Sequence, residues 1–429
     1  MPHVGETPTL QDGYDPAMNL QRLKANWIVP VDRLPIENGL IEIVDGFITT
    51  VRATEPYEVA TDLGDVAILP GLVNAHTHLE FSLVEQPFQP ALPFTGWIRS
   101  LVAYRRQEFT PTSTVQRDAL SAGVTEAELS GTTLLGEIAT LGWGEDALPT
   151  HCPSIIAFRE LIGLRPESVE LQLELAEEWL ARGGHSKRVT YGLSPHAPYS
   201  VFPELLQRSV ELATRFDAPV AMHLAETREE LEFLSDGRGP FVEMLMSFGA
   251  WPEGGLPTGR RPLDILRVLA DAPRALVVHG NYLADDEIEF IAARPQMSVV
   301  FCPRTHEFFR HEPHPWRKLL AHGANVALGT DGRGSNPDLS LWKELVFLRE
   351  RFPDVAPSTL LELGTLAGAR ALGCEHDCGT ITPGKRADLI AVSLRGNGDP
   401  LEEVLTADSK IMRTFGRERL PPSRGGEHA

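Results

Sequence analysis

The central part of the chain alternates between short apolar runs and segments in which apolar positions recur every three or four residues. The segment PELLQRSVELATRF at 203–216 shows this helical period, and the runs are short enough to be single strands. Repeated alternation of strand and helix is typical of a parallel sheet, and eight such units suit a closed barrel. We therefore predict an α/β fold with a TIM-type (β/α)8 barrel over residues 68–378. The eight runs lie at 68–78, 132–138, 154–161, 189–197, 219–227, 275–283, 297–304 and 325–332.

The two flanks of this region have a different pattern. WIVPV, GLIEIVDGFITTV and DVAIL precede the barrel, and GTITPGKRADLIAVSL and SKIMRTFG follow it. These short β-like runs are separated by Pro, Asn-Gly and Asp-Gly, which favour turns. Because both flanks are rich in strands, we predict one small β-sandwich domain composed of residues 1–67 and 379–429.

Composition and charge narrow the class of protein. The chain has 429 residues, 42% of them hydrophobic, which is enough for a sizeable core. Its formal net charge is −20, which argues against nucleic acid or an anionic membrane as a partner. Four cysteines without a C-x-x-C pair favour a reducing compartment. We also find neither a signal-peptide pattern nor an apolar run of about 18 residues, so we expect a cytoplasmic protein without a membrane span.

Polar side chains stand at the ends of the predicted barrel strands. His76 and His78 end the first run, and residues i and i+2 of a strand point to the same face. Two neutral imidazoles on one face suit a divalent metal, although an H-x-H pair alone fits hydrogen-bonded core histidines equally well. Later runs carry further polar residues, namely His196, His223, Glu226, His279 and Asp331. Buried without partners, each would cost about 1–3 kcal/mol, so the joint pattern indicates one shared ion at the barrel mouth.

The motifs PGLVNAHTH, SPHAPYS, HLAET, HGN and LGTDG occur in this order and resemble the amidohydrolase superfamily over nearly the whole chain. Within it, the chain is most similar to the branch of aminopurine and adenosine-type deaminases and triazine chlorohydrolases. The resemblance implies one divalent metal held by His76, His78, His223 and Asp331. No lysine lies late in a central strand, where a carboxylated side chain would bridge a second ion. We therefore expect a single ion, with zinc as the first choice and iron as the alternative.

The same residues suggest a hydrolytic mechanism. Three histidines and a carboxylate leave room for one water molecule, which the metal activates. Glu226 is placed to carry a proton to the leaving group, and His279 and Asp331 to orient and deprotonate the water. His196 is expected to contact substrate. The alternatives are a carboxylate at a helix N-terminus for Glu226, a structural strand histidine for His279 and a hydrogen-bonded loop histidine for His196.

Three further segments resemble one group within that branch. HTHLEFS, PFTGWIRSLVAYRR at 93–106 and FRELIGL are similar to aminodeoxyfutalosine deaminases of menaquinone biosynthesis, which act on an adenine nucleoside that carries a benzoate tail. The resemblance suggests a tryptophan beside the ligand and arginines at its anionic tail. Arg333 stands two residues after Asp331, where this group usually has small residues. Because of this difference, the resemblance does not fix the exact substrate. The expected substrate contacts are Trp97, Glu80, Arg99, Arg159 and Arg304.

Other functions remain compatible with these motifs. The same metal site would suit a deaminase of S-adenosylhomocysteine, methylthioadenosine or another aminopurine, a chlorohydrolase, or a cyclic amidase. A non-catalytic scaffold protein is a third hypothesis, and the complete set of histidines and carboxylates speaks against it. We expect a small aminopurine nucleoside and water as partners, neither nucleic acid nor membrane, and we leave a homodimer open.

Overall fold

The computed structural model describes residues 19–110, 112–183, 188–396 and 398–415. The outer parts of the predicted sandwich, 1–18 and 416–429, lie outside the described residues. In the described ranges, no helix combines the length and the apolar character that crossing a membrane requires. The strands are β1 (Leu20–Ile28), β2 (Ile36–Val44), β3 (Phe47–Ala53), β4 (Thr61–Asp62), β5 (Val66–Pro70), β6 (Leu72–Thr77), β7 (Thr132–Ala139), β8 (Ser154–Leu161), β9 (Val189–Pro195), β10 (Val220–Leu224), β11 (Ala275–His279), β12 (Met297–Phe301), β13 (Asn325–Leu328), β14 (Leu389–Ser393) and β15 (Ile411–Phe415).

Helices connect the strands and cover the outside of the barrel. Several begin with proline at the first turn, where the missing N–H is not needed. The helices are α1 (Phe94–Glu108), α2 (Val115–Leu129), α3 (Val169–Leu180), α4 (Pro203–Arg215), α5 (Arg228–Asp236), α6 (Pro240–Ser247), α7 (Pro262–Leu269), α8 (Asp285–Ala292), α9 (Pro303–Phe308), α10 (Trp316–Ala321), α11 (Leu341–Arg351), α12 (Pro357–Leu363), α13 (Leu366–Leu372) and α14 (Pro400–Val404).

The barrel consists of β6 to β13, paired in chain order and parallel throughout. Each of the eight predicted runs contains one of these strands, so the predicted (β/α)8 architecture is confirmed. The first and last strands meet just beyond β13, where the N–H groups of Thr330 and Asp331 donate to the carbonyl of His76 at 3.1 and 3.2 Å. The N–H of His78 donates to the carbonyl of Asp331 at 3.3 Å. The barrel therefore closes through residues that carry the predicted chemistry.

Both ends of the chain form one mixed sheet beside the barrel, in the order β15–β14–β5–β1–β2–β3, with β4 paired to β1. The run at 68–78 is divided between the two sheets. Its first part belongs to β5, which pairs with β14, and its second part is β6 of the barrel. Gly71 separates them, and its N–H donates to the carbonyl of Asp388 at 2.8 Å. The small β unit built from both chain ends is thus confirmed.

Alternation along the strands divides the core into two layers. Apolar side chains inside the barrel form one cluster, which includes Ile156 and Phe158 of β8 and Val278 of β11. The outward-facing residues of the same strands, such as Ile155 and Val277, pack against the helices in a larger cluster. Because successive strand residues point to opposite faces, the inner cluster identifies which strand-end residues face the barrel mouth.

The junction at Gly71 gives a test of the fold. A Cβ atom at Gly71 would lie 2.2–2.8 Å from side-chain atoms of Thr133, which is buried and β-branched. We expect Gly71→Ala to lower the free energy of unfolding by about 1–3 kcal/mol, as overpacking does in rigid cores. Urea denaturation followed by circular dichroism measures this change.

The matched control for this substitution is Gly96→Ala in α1. A Cβ atom at Gly96 meets its nearest neighbour at an ordinary distance of 3.4 Å. This alanine should leave the denaturation midpoint unchanged or raise it, because alanine favours helix. Equal midpoints for the two variants would contradict a steric constraint at the junction.

Candidate active site

The structure brings together three histidines from distant parts of the chain. The ring centroid of His76 lies 4.9 Å from those of both His78 and His223. The Nε2 atoms of His78 and His223 are 3.3 Å apart. The register of β6 against β7 shifts between Asn74 and Thr77, the interval that contains His76. Bulges and similar irregularities commonly re-aim side chains near active sites, and this shift accompanies the convergence of the rings.

Asp331, just beyond β13, and His279, at the end of β11, complete the cluster. One Asp331 oxygen lies 3.4 Å from His76 Nε2 and 3.5 Å from His78 Nε2. The other oxygen accepts a hydrogen bond from Ser335 Oγ at 2.5 Å. His76, His279 and Asp331 can each direct a ligand atom to within 4.8 Å of the others, as can His76, His78 and His223. All five predicted residues therefore lie at one end of the barrel.

The protonation states of this cluster fit a divalent cation. Burial holds the pKa of His78 and of His223 well below the ordinary value, so both imidazoles are neutral. Burial acts to raise the pKa of Asp331, but the close contact with His76, 3.4 Å away, and attraction from His279 outweigh burial and lower the pKa to about 2. His76 Nε2 is buried and has no hydrogen-bond partner among the described residues. Neutral nitrogen donors, one carboxylate and an unsatisfied nitrogen are the donor set that zinc prefers.

Three residues at the strand ends adopt a left-handed backbone conformation. The φ angles are 54° for Ala225, 69° for His279 and 56° for Asp331. Such conformations are uncommon for residues other than glycine, and they persist where the surroundings hold them in place. Val277 faces the helices outside the barrel, and strict alternation would place His279 on that same outer face. The left-handed φ of His279 breaks this alternation, and its ring lies 5.5 Å from that of His223.

Glu226 lies in the turn between β10 and α5, with one oxygen 3.4 Å from His279 Nε2. Its side chain is buried, and burial followed by repulsion from Asp331 and Glu230 raises its pKa well above the ordinary value. The turn is fixed by Glu230, whose two oxygens accept the N–H groups of Ala225 at 2.8 Å and Glu226 at 3.0 Å. Glu226 can therefore retain a proton near neutral pH inside the cluster.

A second layer of histidines supports His279. His314 lies on the loop after α9, and its Nε2 contacts the carbonyl oxygen of His279 at 2.7 Å. Its ring stacks on Phe301 with centroids 4.0 Å apart. His311 Nδ1 contacts the hydroxyl of Tyr282 at 3.2 Å. These loop histidines lie behind the cluster, and the sequence offered no periodic signal for that position.

A cavity of about 430 Å³ extends from the cluster. At its inner end it is lined by His78, His196, His223, Glu226, His279 and Asp331. The remaining wall is largely apolar and includes Phe94, Trp97, Ile98, Leu101, Met244 and Phe248. Trp97 is held in place because its Nε1 donates to the carbonyl of Gly334 at 2.8 Å. His196 and Trp97, which the sequence predicts as substrate contacts, both lie along this cavity.

Two of the predicted tail arginines are engaged elsewhere. Arg304 forms ion pairs with Asp338 at 2.8 Å and with the buried Glu344 at 2.7 Å. Arg99 donates to Ser247 Oγ at 2.6 Å. Neither arginine belongs to the described residues that line the cavity. Their side chains connect neighbouring elements around the cavity.

The structure also places Arg159 and Glu80 outside the described cavity lining. Arg159 donates to the carbonyl of Thr140 at 3.3 Å. Glu80 is buried, forms an ion pair with Arg105 and accepts the Thr140 hydroxyl at 3.1 Å. Arg333, which departs from the family pattern, donates to both oxygens of Glu126 at 3.1 and 2.9 Å and is likewise not among the described lining residues.

The charged side chains that do line the outer cavity are Arg105, Glu160 and Arg165. Sequence reasoning missed all three. Arg165 donates to the carbonyl of Gly249 at 2.5 Å. The inward position of Glu160 was available from the alternation of FRELIGL in β8, because it shares a face with the inner-core residue Phe158. Arg105 lies in α1 and Arg165 in the loop after β8, and no local pattern in the sequence shows that these side chains face the cavity.

Comparison with known proteins agrees with this architecture. Residues 67–415 match the amidohydrolase family. The chain is 31% identical to a 5-methylthioadenosine/S-adenosylhomocysteine deaminase of Moorella thermoacetica, over 86% of this chain and 84% of that protein. Among solved structures, a zinc-bound adenosine deaminase of Xanthomonas campestris superposes with a TM-score of 0.75 at 25% identity, covering 93% and 90% of the two chains. The aminofutalosine deaminase of Helicobacter pylori, in complex with methylthio-coformycin, superposes with a TM-score of 0.78 at 21% identity, covering 93% and 99%, and shows the shared fold.

The family match covers more than half of the chain, and the curated relative extends over most of both proteins. The Moorella thermoacetica relative and the Xanthomonas campestris structure are both named as deaminases, which is one of the activities in the branch that the motifs indicated. Together with the cluster of histidines and carboxylates at the barrel mouth, these matches show that the chain belongs to the amidohydrolase family and is a hydrolase of carbon–nitrogen bonds.

Proposed function

We propose that this enzyme removes ammonia hydrolytically from the adenine ring of a nucleoside, and that its preferred substrate is aminodeoxyfutalosine. The observation that carries the proposal is the continuity of one cavity. Its inner end presents neutral histidines, Asp331 and Glu226, and its outer part is an apolar chamber with aromatic walls. A purine ring at the inner end and an apolar or aromatic substituent at the outer end would fill such a space.

The tautomer of His196 supports recognition of a purine. His196 Nδ1 lies 2.6 Å from Ser200 Oγ, which is short for an N–H donor and normal for a hydroxyl donor. The other acceptor within reach of the Ser200 hydroxyl is the carbonyl of Ala197, which lies farther away at 3.1 Å and also accepts the backbone N–H of Ser200 at 3.0 Å. We therefore assign the hydroxyl proton to the contact with Nδ1, which leaves a proton on Nε2. Burial lowers the pKa of His196 to about 3, so the neutral ring can donate one hydrogen bond to a ring nitrogen of adenine.

The buried residues divide the proton transfers between them. His76, His78, His223 and Asp331 would hold one divalent ion, with zinc as the first choice, and the ion supplies the Lewis acidity that makes water nucleophilic near neutral pH. Asp331 and His279 orient the attacking water and accept its proton. Glu226, which retains a proton, donates it to a ring nitrogen, takes up one proton of the attacking water and delivers that proton to the departing amine. The second proton of the water, accepted by Asp331 or His279, restores the protonated Glu226, whose carboxylate lies 3.4 Å from His279 Nε2. The oxygen–C6 bond forms, the C6–nitrogen bond breaks, and ammonia and a hypoxanthine nucleoside leave.

The outer chamber supports the choice of substrate. Phe94 and Trp97 stack with their centroids 5.5 Å apart, and Phe248 closes the other side of the chamber. Aromatic walls suit a benzoate ring, and Arg165 is a cation at the chamber that can pair with its carboxylate. The second candidate is a deaminase of methylthioadenosine or S-adenosylhomocysteine, which is favoured by the activity named for the Moorella thermoacetica relative.

The metal site is tested by removing one proposed ligand. We expect the wild-type protein to hold about one divalent ion per chain, and His223→Ala to lose both the ion and activity, because one of four ligands is missing. Elemental analysis of the dialysed protein measures the number of metal ions per chain. A double His76→Ala/His78→Ala variant that keeps near-stoichiometric metal would refute this ligand set.

Glu226 is tested by Glu226→Gln, which keeps the size of the side chain and removes its acidity. We expect unchanged metal content and a turnover number lower by about 10²–10⁴, the usual contribution of a general acid–base group. Steady-state release of ammonia measures the loss. As a control, Glu229→Gln changes a half-buried carboxylate three residues further along, in the first turn of α5, and should leave turnover unaffected. Turnover of Glu226→Gln within tenfold of wild type would remove this residue from the mechanism.

The substrate is tested by competition among adenine nucleosides. We expect a higher kcat/KM for aminodeoxyfutalosine than for adenosine, methylthioadenosine or S-adenosylhomocysteine, because only its tail joins an aromatic ring to a carboxylate. Arg165→Ala should reduce the ratio of kcat/KM between aminodeoxyfutalosine and the other nucleosides. The matched control is Arg99→Ala, because Arg99 lies outside the described cavity lining, and it should leave that ratio unchanged. Equal rates for methylthioadenosine would favour the second candidate, and a lack of ammonia from every aminopurine would exclude both.

A further inference from the structure

Glu160 occupies the last inward position of β8. Ile156 and Phe158 of this strand belong to the apolar cluster inside the barrel, so alternation directs Glu160 inward at the mouth and Arg159 to the opposite face. Glu160 lies among the residues that line the cavity, together with Arg105 and His196. It is a carboxylate that the proposed chemistry does not use.

The partners of Glu160 satisfy only part of its carboxylate. Its side chain is 7% exposed, and Oε2 lies 3.6 Å from a guanidinium nitrogen of Arg105. Arg105 is held mainly by Glu80, which accepts from its Nε at 3.1 Å and forms a second contact with the same guanidinium. Glu160 Oε1 is buried and has no hydrogen-bond partner among the residues that the structure describes. A buried acceptor of this kind is costly unless something donates to it.

None of the described polar groups in the surrounding wall donates to Glu160 Oε1. Near the helix α1 side, the cavity is lined by the aliphatic side chains of Ile98, Leu101 and Val102. Arg105 is oriented by Glu80 and is already shared between two carboxylates. A donor for Glu160 Oε1 would therefore come from a molecule in the cavity, with a small rotation of the side chain toward it.

The chemistry of an adenine nucleoside limits what that donor can be. The ring nitrogens of adenine are acceptors, and its single donor group, the 6-amino group, is assigned to the inner end beside Glu226. The remaining donors are the hydroxyl groups of the sugar. We propose, on the basis of the proposed function, that Glu160 is a specificity residue whose free oxygen accepts a hydrogen bond from one sugar hydroxyl of the substrate.

A cycle of enzyme and substrate changes tests this role. The zinc-loaded wild type and Glu160→Ala are compared on adenosine, 2′-deoxyadenosine and 3′-deoxyadenosine by ammonia release. We expect the wild type to disfavour the analogue that lacks the recognised hydroxyl by about 10- to 100-fold in kcat/KM, the range for a hydrogen bond to a charged group. In Glu160→Ala, kcat/KM for adenosine should fall by a similar factor. The ratio of kcat/KM between adenosine and the deoxy analogue should then shrink to within about threefold, because removing the carboxylate and removing the hydroxyl abolish the same contact.

Two further variants separate this contact from general damage to the cavity. Glu160→Gln keeps the shape of the side chain and one acceptor oxygen but removes the charge. Its preference for adenosine over the deoxy analogue should therefore lie between those of the wild type and Glu160→Ala. Arg165→Ala alters the same cavity at another residue and should retain the full preference for adenosine over the deoxy analogue. Metal content and melting temperature are measured for each variant, so that a loss of folding is detected.

The outcomes distinguish this inference from the proposed function. If ammonia is released but Glu160→Ala keeps the wild-type preference, or the wild type has none, Glu160 does not read the sugar and the deaminase assignment stands. If no adenine nucleoside is deaminated or bound, the proposed function itself fails. If nucleosides without the benzoate tail are not turned over, the same comparison can be made with the inhibition constants of inosine, 2′-deoxyinosine and 3′-deoxyinosine. Equal inhibition constants for the three in the wild type would overturn the proposal.

Discussion

The site depends on the closure of the barrel between its first and last strands. The carbonyl of His76 accepts the N–H groups of Thr330 and Asp331, and the N–H of His78 donates to the carbonyl of Asp331. These bonds join the two ends of the barrel sequence, some 250 residues apart, at the residues proposed to share an ion. Backbone hydrogen bonds thus fix the relative positions of His76, His78 and Asp331, and the side chains need only extend toward the axis. The proposed metal site and the barrel closure are consequently one structural feature.

The fold and the inner part of the site could be predicted because both leave periodic signals. Eight apolar runs gave eight strands, and each strand ends at the same mouth, so polar residues at those ends had to meet. The small sheet was predictable in outline from its turn residues, whereas the division of one run at Gly71 was not. Nothing in an uninterrupted apolar pattern marks the point where a chain passes from one sheet to the next.

The outer cavity could not be predicted in the same way, because it depends on which way single side chains point. Arg159 and Glu160 are neighbours in β8, and alternation gives the cavity the carboxylate rather than the arginine. Arg304 lies in the first turn of α9, three residues after the end of β12, and forms an ion pair with Glu344, a carboxylate with no exposed side-chain surface. A buried charge of this kind requires a partner, and the pair was formed by residues 40 apart in the chain. His279 shows a third cause, since its position depends on a left-handed φ that no sequence period indicates.

Buried carboxylates also hold the loops that carry the reactive groups. Both oxygens of Glu137 accept the N–H of Leu79, at 3.3 and 3.1 Å, in the turn that follows His78. Glu230 binds two N–H groups around Glu226 in a similar way. Burial raises the pKa of Glu137 well above the ordinary value and that of Glu230 to about 7, so Glu230 titrates near neutral pH. In a strongly acidic protein, acidic side chains at the barrel mouth thus serve two purposes. Some position the backbone beside the proposed metal ligands, while Glu226 remains available to move a proton.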